Sequence, residues 1–391
     1  MLLYRITRGS GIRWVKTITT SRPEPQAVAR WRAFVPDSSS GPHAFSVVLL
    51  TLSIVASMLA LQCSSPPAAS TGAAPTATPS GAQLAPQLCG SGARQPSGRF
   101  ALVRGDITYT DGSEIWAVDP NNPAHRISMG PSRGMTPIAW SRDGSRLLLV
   151  EQRRTTDGGT AQDLCVTNTD GSQTRLTSDG QSGEGSFSPD GTKVVFSRWN
   201  DGLYVVNAEG GTPHLLAKSY MAWWLESPAW SPDGSRIAYM VYLEGGPEGL
   251  TYQIWTVKPD GTNPRPLVDL GECGGGGCSG GLAWSPDGSM LAFHSMRDYL
   301  STRTRAIYVV HADGSRLHRI NDDGLFPSWS PDGSRIAFVW LQSVMNSSSD
   351  TSNNGQLFTT APDGSDLRRV EGVVVVPPYV RASSWNPVVK T

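Results

Sequence analysis

The sequence has no excess charge of either sign, because 33 basic and 33 acidic residues leave a formal net charge of +0. Proteins that bind nucleic acid non-specifically need clustered positive charge to release counterions from the phosphates. The balanced charge of the whole chain argues against such binding. We therefore expect no nucleic-acid partner.

Histidine and cysteine are scarce, with six and five copies. No CxxC motif or closely spaced His pair provides a metal-ligand set, and no glycine-rich phosphate loop or dinucleotide fingerprint is present. We therefore expect no metal and no cofactor. The histidines are scattered, and we expect none beside a Ser or Cys nucleophile: His43, His125, His214, His294, His311 and His318.

After about residue 98 the chain also lacks helical periodicity. Gly (42 copies) and Pro (29 copies) are abundant, which indicates many turns and little helix. Apolar residues make up 38% of the chain, which is enough to supply a core.

The N-terminal third has a different character. The charged residues of segment 1–43 are predominantly basic. Residues 44–62 form an uncharged apolar run that predicts one membrane-anchor or signal helix. The positive-inside rule places residues 1–43 in the cytoplasm as a basic n-region. We expect the rest of the chain to be exported, on the periplasmic or extracellular side.

Cys63 ends the apolar run, and residues 63–97 are rich in Ser, Pro, Ala and Thr. This arrangement resembles a bacterial lipoprotein, in which the cysteine is lipidated and a flexible linker follows. Leu61 and Gln62 depart from the small residues that such a signal prefers. Lipidation of Cys63 and an uncleaved signal anchor therefore both remain open; either would tether the chain to a membrane.

Four further cysteines fit an exported protein. Cys273 and Cys278 bracket four glycines, and we predict a small-loop disulfide between them. For Cys89 and Cys165, a disulfide and a buried free thiol are both open. Cys165 stands at a strand position where the sister repeats have an aromatic residue.

One motif recurs from residue 98 onward at intervals typical of a four-stranded propeller blade. It reads Trp-Ser-Pro-Asp-Gly, with Arg142 in place of Pro in the first copy and Phe187 in place of Trp in the second. The recurring aromatic residues are Trp140, Phe187, Trp230, Trp284, Trp329 and Trp385. The aspartates of the turns are Asp143, Asp190, Asp233, Asp287 and Asp332.

Each copy predicts a tight turn between two strands, because Pro presets φ, Asp bonds the backbone and Gly adopts the left-handed conformation. A β-rich run follows each turn, and a second Asp-Gly-type turn separates a third strand from a fourth. The first set of strands lacks its Trp-Ser turn, and its second strand is assigned to Arg99–Arg104. Ser384-Trp385-Asn386-Pro387 provides the missing first strand.

We therefore predict an all-β fold over residues 98–391, a six-bladed β-propeller. Pairing of the C-terminal strand with the N-terminal strands would close the ring and protect both sheet edges. One N-terminal apolar helix and a disordered linker precede it. The repeat resembles that of the TolB-like (WD40-like, PD40) propeller family, which implies this fold and an envelope protein partner. The separate α/β domain that precedes the propeller in TolB has no counterpart in residues 64–97.

The repeat aromatics are interpreted as packing between neighbouring sheets, and the aspartates as turn residues rather than calcium ligands. Gly277-Cys278-Ser279-Gly280-Gly281 matches the nucleophile-elbow pattern, but it lies in a glycine-rich loop without the strand and helix that such an elbow requires. No catalytic constellation is found, and we expect a protein that is not an enzyme.

Propellers bind ligands at the end of the channel that carries the loops between blades. Tyr220, Trp223 and Trp224 form an aromatic connector there, and they are candidates for partner contact or for local packing. Glu184, Glu226 and Arg381 precede the inner strands and are expected to line the channel.

The leading hypothesis is a non-catalytic, membrane-tethered envelope module that binds a protein or peptide, or a glycan. The alternatives are a propeller enzyme, a lyase or hydrolase with its active site at the channel mouth, and a sensory or structural subunit of an envelope complex.

Overall fold

The structure is a computed structural model of the 391-residue chain. It describes Cys89, Val103 and residues 105–168, 170–219, 223–246, 249–273, 279–298, 305–341, 355–375 and 383–387. The chain divides into two units, residues 1–80 and 81–391, and every described residue belongs to the second. The segments predicted at 1–43 and 44–62 lie outside the described residues, as does Cys63.

The described residues form six four-stranded antiparallel sheets, as the sequence predicts. The first sheet after the N-terminal strands comprises β4 (Met135–Trp140), β5 (Arg146–Arg154), β6 (Thr160–Asn168) and β7 (Gln173–Arg175). The second comprises β8 (Ser182–Phe187), β9 (Lys193–Arg198), β10 (Gly202–Asn207) and β11 (His214–Lys218). The third comprises β12 (Trp223–Trp230), β13 (Ile237–Gly246), β14 (Gly249–Val257) and β15 (Arg265–Cys273).

Two further sheets follow the same order. The fourth comprises β16 (Ser279–Trp284), β17 (Met290–Ser295), β18 (Ala306–His311) and β19 (His318–Arg319). The fifth comprises β20 (Leu325–Trp329), β21 (Ile336–Leu341), β22 (Gly355–Thr360) and β23 (Arg368–Val375). No helix long and apolar enough to cross a membrane occurs among the described residues.

The sixth sheet joins the two ends of the described chain. Its order is β24 (Ser383–Trp385), β1 (Ile107–Thr110), β2 (Glu114–Asp119) and β3 (Asn122–Pro131). In the antiparallel register Trp385 lies opposite Ile107. The assignment of the second strand to Arg99–Arg104 is therefore wrong, because β1 occupies that place. Val103 instead packs, fully buried, in the core between this sheet and the first.

Apolar side chains fill the spaces between neighbouring sheets. Six clusters of buried residues are found in the described part of the chain, and each draws on two sheets adjacent in the ring. The cluster between the fifth and sixth sheets joins Val339 and Leu357 to Ile107 and Trp385. Each sheet buries both faces against its neighbours, because one small sheet cannot cover its own faces.

The repeated turn is held by the residues that its sequence conserves in every copy. In the third sheet, Ser231 Oγ donates to Asp233 at 2.6 Å, and the backbone N–H of Ser235 donates to the same carboxylate at 3.0 Å. Gly234 has φ of 73°, a left-handed value that favours glycine. Gly234 N–H closes the turn on the Ser231 carbonyl at 2.9 Å.

A disulfide joins Cys89 to Cys165. It decides between the two alternatives that the sequence leaves open for this pair. Cys165 lies opposite Leu149, where other sheets place stacked aromatic pairs such as Phe293 and Tyr308. The bridge lies in the core between the sixth and first sheets, both of its residues being almost fully buried.

Candidate functional site

The inner strands share an irregularity close to one end of the channel. In β4, β8, β12, β16 and β20 the pairing register shifts a few residues before the repeat aromatic, which marks a β-bulge. Bulges redirect side chains and are common beside functional sites. In three of these strands the bulged residue has a left-handed φ: Ser227 (50°), Gly281 (64°) and Phe326 (56°).

Ser227 links three successive sheets. Its hydroxyl donates to the carboxylate of Glu184 on β8 and accepts the backbone N–H of Gly281 on β16 at 3.1 Å. A left-handed φ is costly for a residue with a Cβ and persists only where the surroundings enforce it. These two hydrogen bonds hold the buried Ser227 side chain in that conformation.

Glu226 precedes Ser227 and lies next to a second carboxylate. Burial and then the negative charge of Glu184 raise the pKa of Glu226 to about 7. A hydrogen bond with the Tyr242 hydroxyl opposes this rise. Tyr242 packs edge-on against Tyr252, with ring centroids 4.4 Å apart, and burial followed by the charge of Glu226 raises the Tyr242 pKa well above its usual value.

His294 on β17 is buried behind the glycines of β16. Its Nδ1 accepts the backbone N–H of Phe326 at 3.4 Å, and the two rings meet edge to face. A methyl group added at Gly280 would lie 3.0 Å from His294 Cε1 and 3.2 Å from Ser227 Oγ. Gly280 therefore allows the imidazole and the hydroxyl to approach from either side. Stacking of the blades thus brings His294 and Ser227, which are far apart in sequence, close to the same glycine.

Trp199 stands at the rim of the same end. It follows β9, and half of its surface is exposed. Its indole Nε1 would lie 3.5 Å from a Cβ added at Gly183, the residue before Glu184. The absence of a side chain at Gly183 thus leaves room for the indole next to β8.

We call Glu184, Glu226, Ser227, Tyr242 and His294 the carboxylate site. Within the described part of the chain, no lysine or arginine forms an ion pair with either glutamate. Two partly buried carboxylates without a counter-ion among the described residues repel each other and favour a ligand that carries positive charge. No group of three metal-ligating side chains occurs among the residues that the structure describes.

The structure brings together only some of the residues that the sequence singled out for this end. Glu184 and Glu226 lie in adjacent sheets of the carboxylate site. Trp223 and Trp224 lie on β12, but their side chains are outside the description, as are Tyr220 and Arg381. Their role in partner contact stays a prediction.

Sequence reasoning missed Ser227, Tyr242, His294 and Trp199. One signal could have found Ser227: it stands three residues before the repeat aromatic Trp230, as Glu184 stands before Phe187. The other three lie on second strands or on the turn after one, and no sequence spacing links them to the inner strands.

The repeat aromatics surround the channel towards its other end. A cavity of about 320 Å³ is lined by residues from all six inner strands, including these aromatics. Five of the six are nearly buried, and indoles bond neighbouring backbone: Trp284 Nε1 donates to Ala229 O at 3.1 Å, and Trp329 Nε1 donates to Ala283 O at 3.0 Å. The aromatic residues therefore both pack between neighbouring sheets and line the cavity.

The turn aspartates accept hydrogen bonds within their own turns. Each accepts the preceding Ser hydroxyl and a backbone N–H two residues later; the hydroxyl donors are Ser141, Ser188, Ser231, Ser285 and Ser330. These bonds lower the pKa of each aspartate. Cys273 ends β15, whereas Cys278 lies outside the described residues, so the disulfide expected between them stays a prediction.

Comparison with known proteins shows which proteins the repeat is similar to. Residues 202–383 match the model of the TolB beta propeller domain. An uncharacterized protein of Agrobacterium fabrum, Atu1656, is 31% identical over 47% of this chain and 57% of its own length. The Tol-Pal system protein TolB of Anaeromyxobacter dehalogenans is 31% identical over 31% of this chain and 24% of its own length.

Other similarities extend to enzymes. Dipeptidyl-peptidase 5 of Porphyromonas endodontalis is 32% identical over 28% of this chain and 15% of its own length. The chain thus spans at most about three fifths of the curated relatives cited here. An oligogalacturonate lyase structure aligns with a TM-score of 0.44 and 19% identity, over 60% of this chain and 70% of that one.

Proposed function

We propose that this chain, which carries a β-propeller of the TolB type, is a cell-envelope module that binds a basic segment of a peptide or protein at the carboxylate site. The observation that carries the proposal is the pair Glu184 and Glu226, two carboxylates from adjacent sheets with no ion-pair partner among the described lysines and arginines. The TolB-type repeat supports an envelope location.

The ligand contacts follow from the chemistry of the site. A lysine or arginine side chain of the ligand would neutralise the carboxylates. Its hydrogen bonds to them would be charge-assisted, and such a bond is about twice as strong as a neutral one. Trp199 offers a half-exposed indole at the rim. Aromatic residues such as Trp contribute much of the binding energy of protein interfaces. Tyr220, Trp223 and Trp224 are further candidates for contact with the same partner.

Selection from a random peptide library displayed on phage tests the proposal. We expect enriched peptides to contain Lys or Arg, and their binding to fall about tenfold or more in Glu184→Gln and in Trp199→Ala. Glu209→Gln is the matched control, because Glu209 is an exposed carboxylate that pairs with Arg146 elsewhere. Enrichment without basic residues, or equal binding by all three variants, contradicts the proposal.

A second candidate function is catalysis by a lyase or hydrolase at the same site. The observation in its favour is the pKa of Glu226, which at about 7 suits a general acid or base, with Tyr242 bonded to it. Turnover of oligosaccharide and peptide substrate panels that is lost in Glu226→Gln, with a pH midpoint near 7, would support this function. No turnover on either panel would leave binding as the better account.

Membrane attachment is part of the proposal. The apolar segment 44–62 supplies either a lipoprotein signal ending at Cys63 or an uncleaved anchor. Phase partitioning in a nonionic detergent distinguishes them. Loss of membrane association in Cys63→Ser indicates lipidation, retention indicates an anchor helix, and a soluble wild-type chain contradicts tethering.

A further inference from the structure

Arg142 departs from the repeat in a way that the fold does not require. It takes the place of the prolines in the other four complete turns: Pro189, Pro232, Pro286 and Pro331. Its exposed side chain does not stay in its own turn, because Nη1 donates to the carbonyl of Pro232 at 2.8 Å. Pro232 belongs to the turn two sheets further round the ring, so the Arg142 side chain reaches across the end of the channel.

The cavity of about 320 Å³ lies at this end of the channel, and Arg142 is one of its lining residues. We call it the Arg142 cavity. Its volume is at the lower end of the range for small-molecule sites, and its lining combines repeat aromatics, prolines and a few serine hydroxyls. Glu184 precedes Phe187 by three strand residues, so the carboxylate site lies about 10 Å further along the inner strands.

Arg142 has no carboxylate partner among the residues that the structure describes, and its one hydrogen bond is to a neutral carbonyl. The nearby turn aspartates each accept bonds from a Ser hydroxyl and a backbone N–H of their own turns. A basic residue follows four of those turns (Arg146, Lys193, Arg236 and Arg335), and the charge of Arg236 adds to the hydrogen bonds from Ser231 and Ser235 in lowering the pKa of Asp233. A guanidinium forms a stronger, two-pronged bond with a carboxylate than with a carbonyl.

We propose that the Arg142 cavity binds a ligand carboxylate. Arg142 exchanges its bond with the Pro232 carbonyl for a bidentate pair with the ligand, whose apolar part lies between the repeat aromatics. This site is separate from the carboxylate site and takes the opposite charge. The ligand is a small organic acid or the free C-terminus of a peptide, since both present the same group.

Saturation-transfer NMR on the full chain in detergent micelles tests the proposal. The probes are a pool of N-acetyl amino acids and a pool of N-acetyl tripeptides, each as free acids and as C-terminal amides. We expect free acids to receive about tenfold more saturation than amides. Transfer to the amino acid pool assigns a small organic acid, and transfer to the tripeptide pool alone assigns a chain terminus.

Arg142→Pro is the matched variant, because it restores the residue of the sister turns and removes the cation. It should abolish the preference for free acids and leave the thermal midpoint unchanged. Arg142→Gln provides the same test should the proline variant not fold. Equal saturation of acids and amides, no saturation of either, or an acid preference that survives in the folded variant would overturn the proposal.

Discussion

The Ser227 hydroxyl donates a hydrogen bond to the Glu184 carboxylate of the neighbouring sheet, although 43 residues separate the two in sequence. The bond fixes Glu184 beside Glu226, the residue before Ser227, and so holds two carboxylates together. Ser227 in turn keeps a left-handed φ of 50°. The carboxylate site therefore depends on strain that the stacking of three sheets stabilises.

Glu226 should make stability fall as pH rises. Its pKa is about 7 in the folded protein and near 4.5 when unfolded, so the folded state binds the proton more tightly. The contribution of Glu226 to the free energy of unfolding is most favourable below pH 4.5 and is lost progressively between about pH 4.5 and pH 7. Glu226→Gln should remove this dependence and be more stable than wild type at pH 8, by on the order of 3 kcal/mol. Urea unfolding at pH 5 and pH 8 measures both effects, and identical pH dependence in the variant would contradict the assignment.

Trp385 should matter for stability far more than Trp199. Trp385 is 7% exposed, and its indole donates to Gly105 O at 2.7 Å within the sheet that joins the two chain ends. Replacement by Ala should cost about 3–5 kcal/mol, as for other buried Trp residues. Trp199→Ala, at 50% exposure, should stay within about 0.5 kcal/mol of wild type while it weakens peptide binding.

Chemical denaturation of both tryptophan variants provides the measurement. A Trp385→Ala protein as stable as wild type would show that pairing of β24 with β1 does not hold the ring closed. Limited proteolysis of the N-terminal strands offers an independent check, since loss of β24 exposes the edge of β1.

The disulfide should stabilise the propeller chiefly by restricting the unfolded chain. Cys89 and Cys165 are 76 residues apart, and the bridge connects the segment before β1 to β6. The paired replacement Cys89→Ser and Cys165→Ser should lower the free energy of unfolding by about 2–4 kcal/mol. Reductant should lower wild-type stability but leave the double variant unchanged, as followed by the urea midpoint. Equal midpoints for wild type and double variant without reductant would refute the stabilising role.

The turn aspartates should contribute stability that acid removes. The Ser231 hydroxyl and then the Ser235 hydroxyl lower the pKa of Asp233 from 3.8 to about 2. The contribution is complete above about pH 4 and is lost as pH falls towards 2. Asp233→Asn should lower the free energy of unfolding by on the order of 1 kcal/mol at pH 7, a figure kept small because the carboxylate is mostly exposed, and by little at pH 2. A constant difference at both pH values would contradict this cause.

The fold was predictable because each turn is encoded locally. Ser231, Asp233 and Gly234 hold one turn by themselves, and the same three residues recur in five turns, so the turns count five sheets and the truncated copy at Trp385 indicates the sixth. The strand assigned to Arg99–Arg104 was misplaced because no such turn precedes it. Without a turn signal, the sequence does not show whether an apolar run pairs as a strand within a sheet or packs against the face of one.

Only the site residues that lie close to a repeat aromatic in sequence could be predicted. Glu184 and Glu226 stand three and four residues before the repeat aromatics, so the sequence could place them close to the inner strands of adjacent sheets. Tyr242 lies on β13, which pairs with the strand of Glu226 in the same sheet, whereas His294 comes close to the site only because the third and fourth sheets stack. The disulfide of Cys165 was hidden for a related reason, since Cys89 lies outside the repeat altogether.

Isothermal titration of a selected basic peptide from pH 5.5 to 8.5 tests the central claim most directly, with the norleucine-for-lysine peptide as control. The account predicts that affinity rises through about pH 7 as Glu226 ionises, and that Glu226→Gln flattens this rise. It also predicts that the norleucine peptide binds weakly at every pH. Affinity that is independent of pH, or equal for the two peptides, would contradict binding of a basic segment by Glu184 and Glu226.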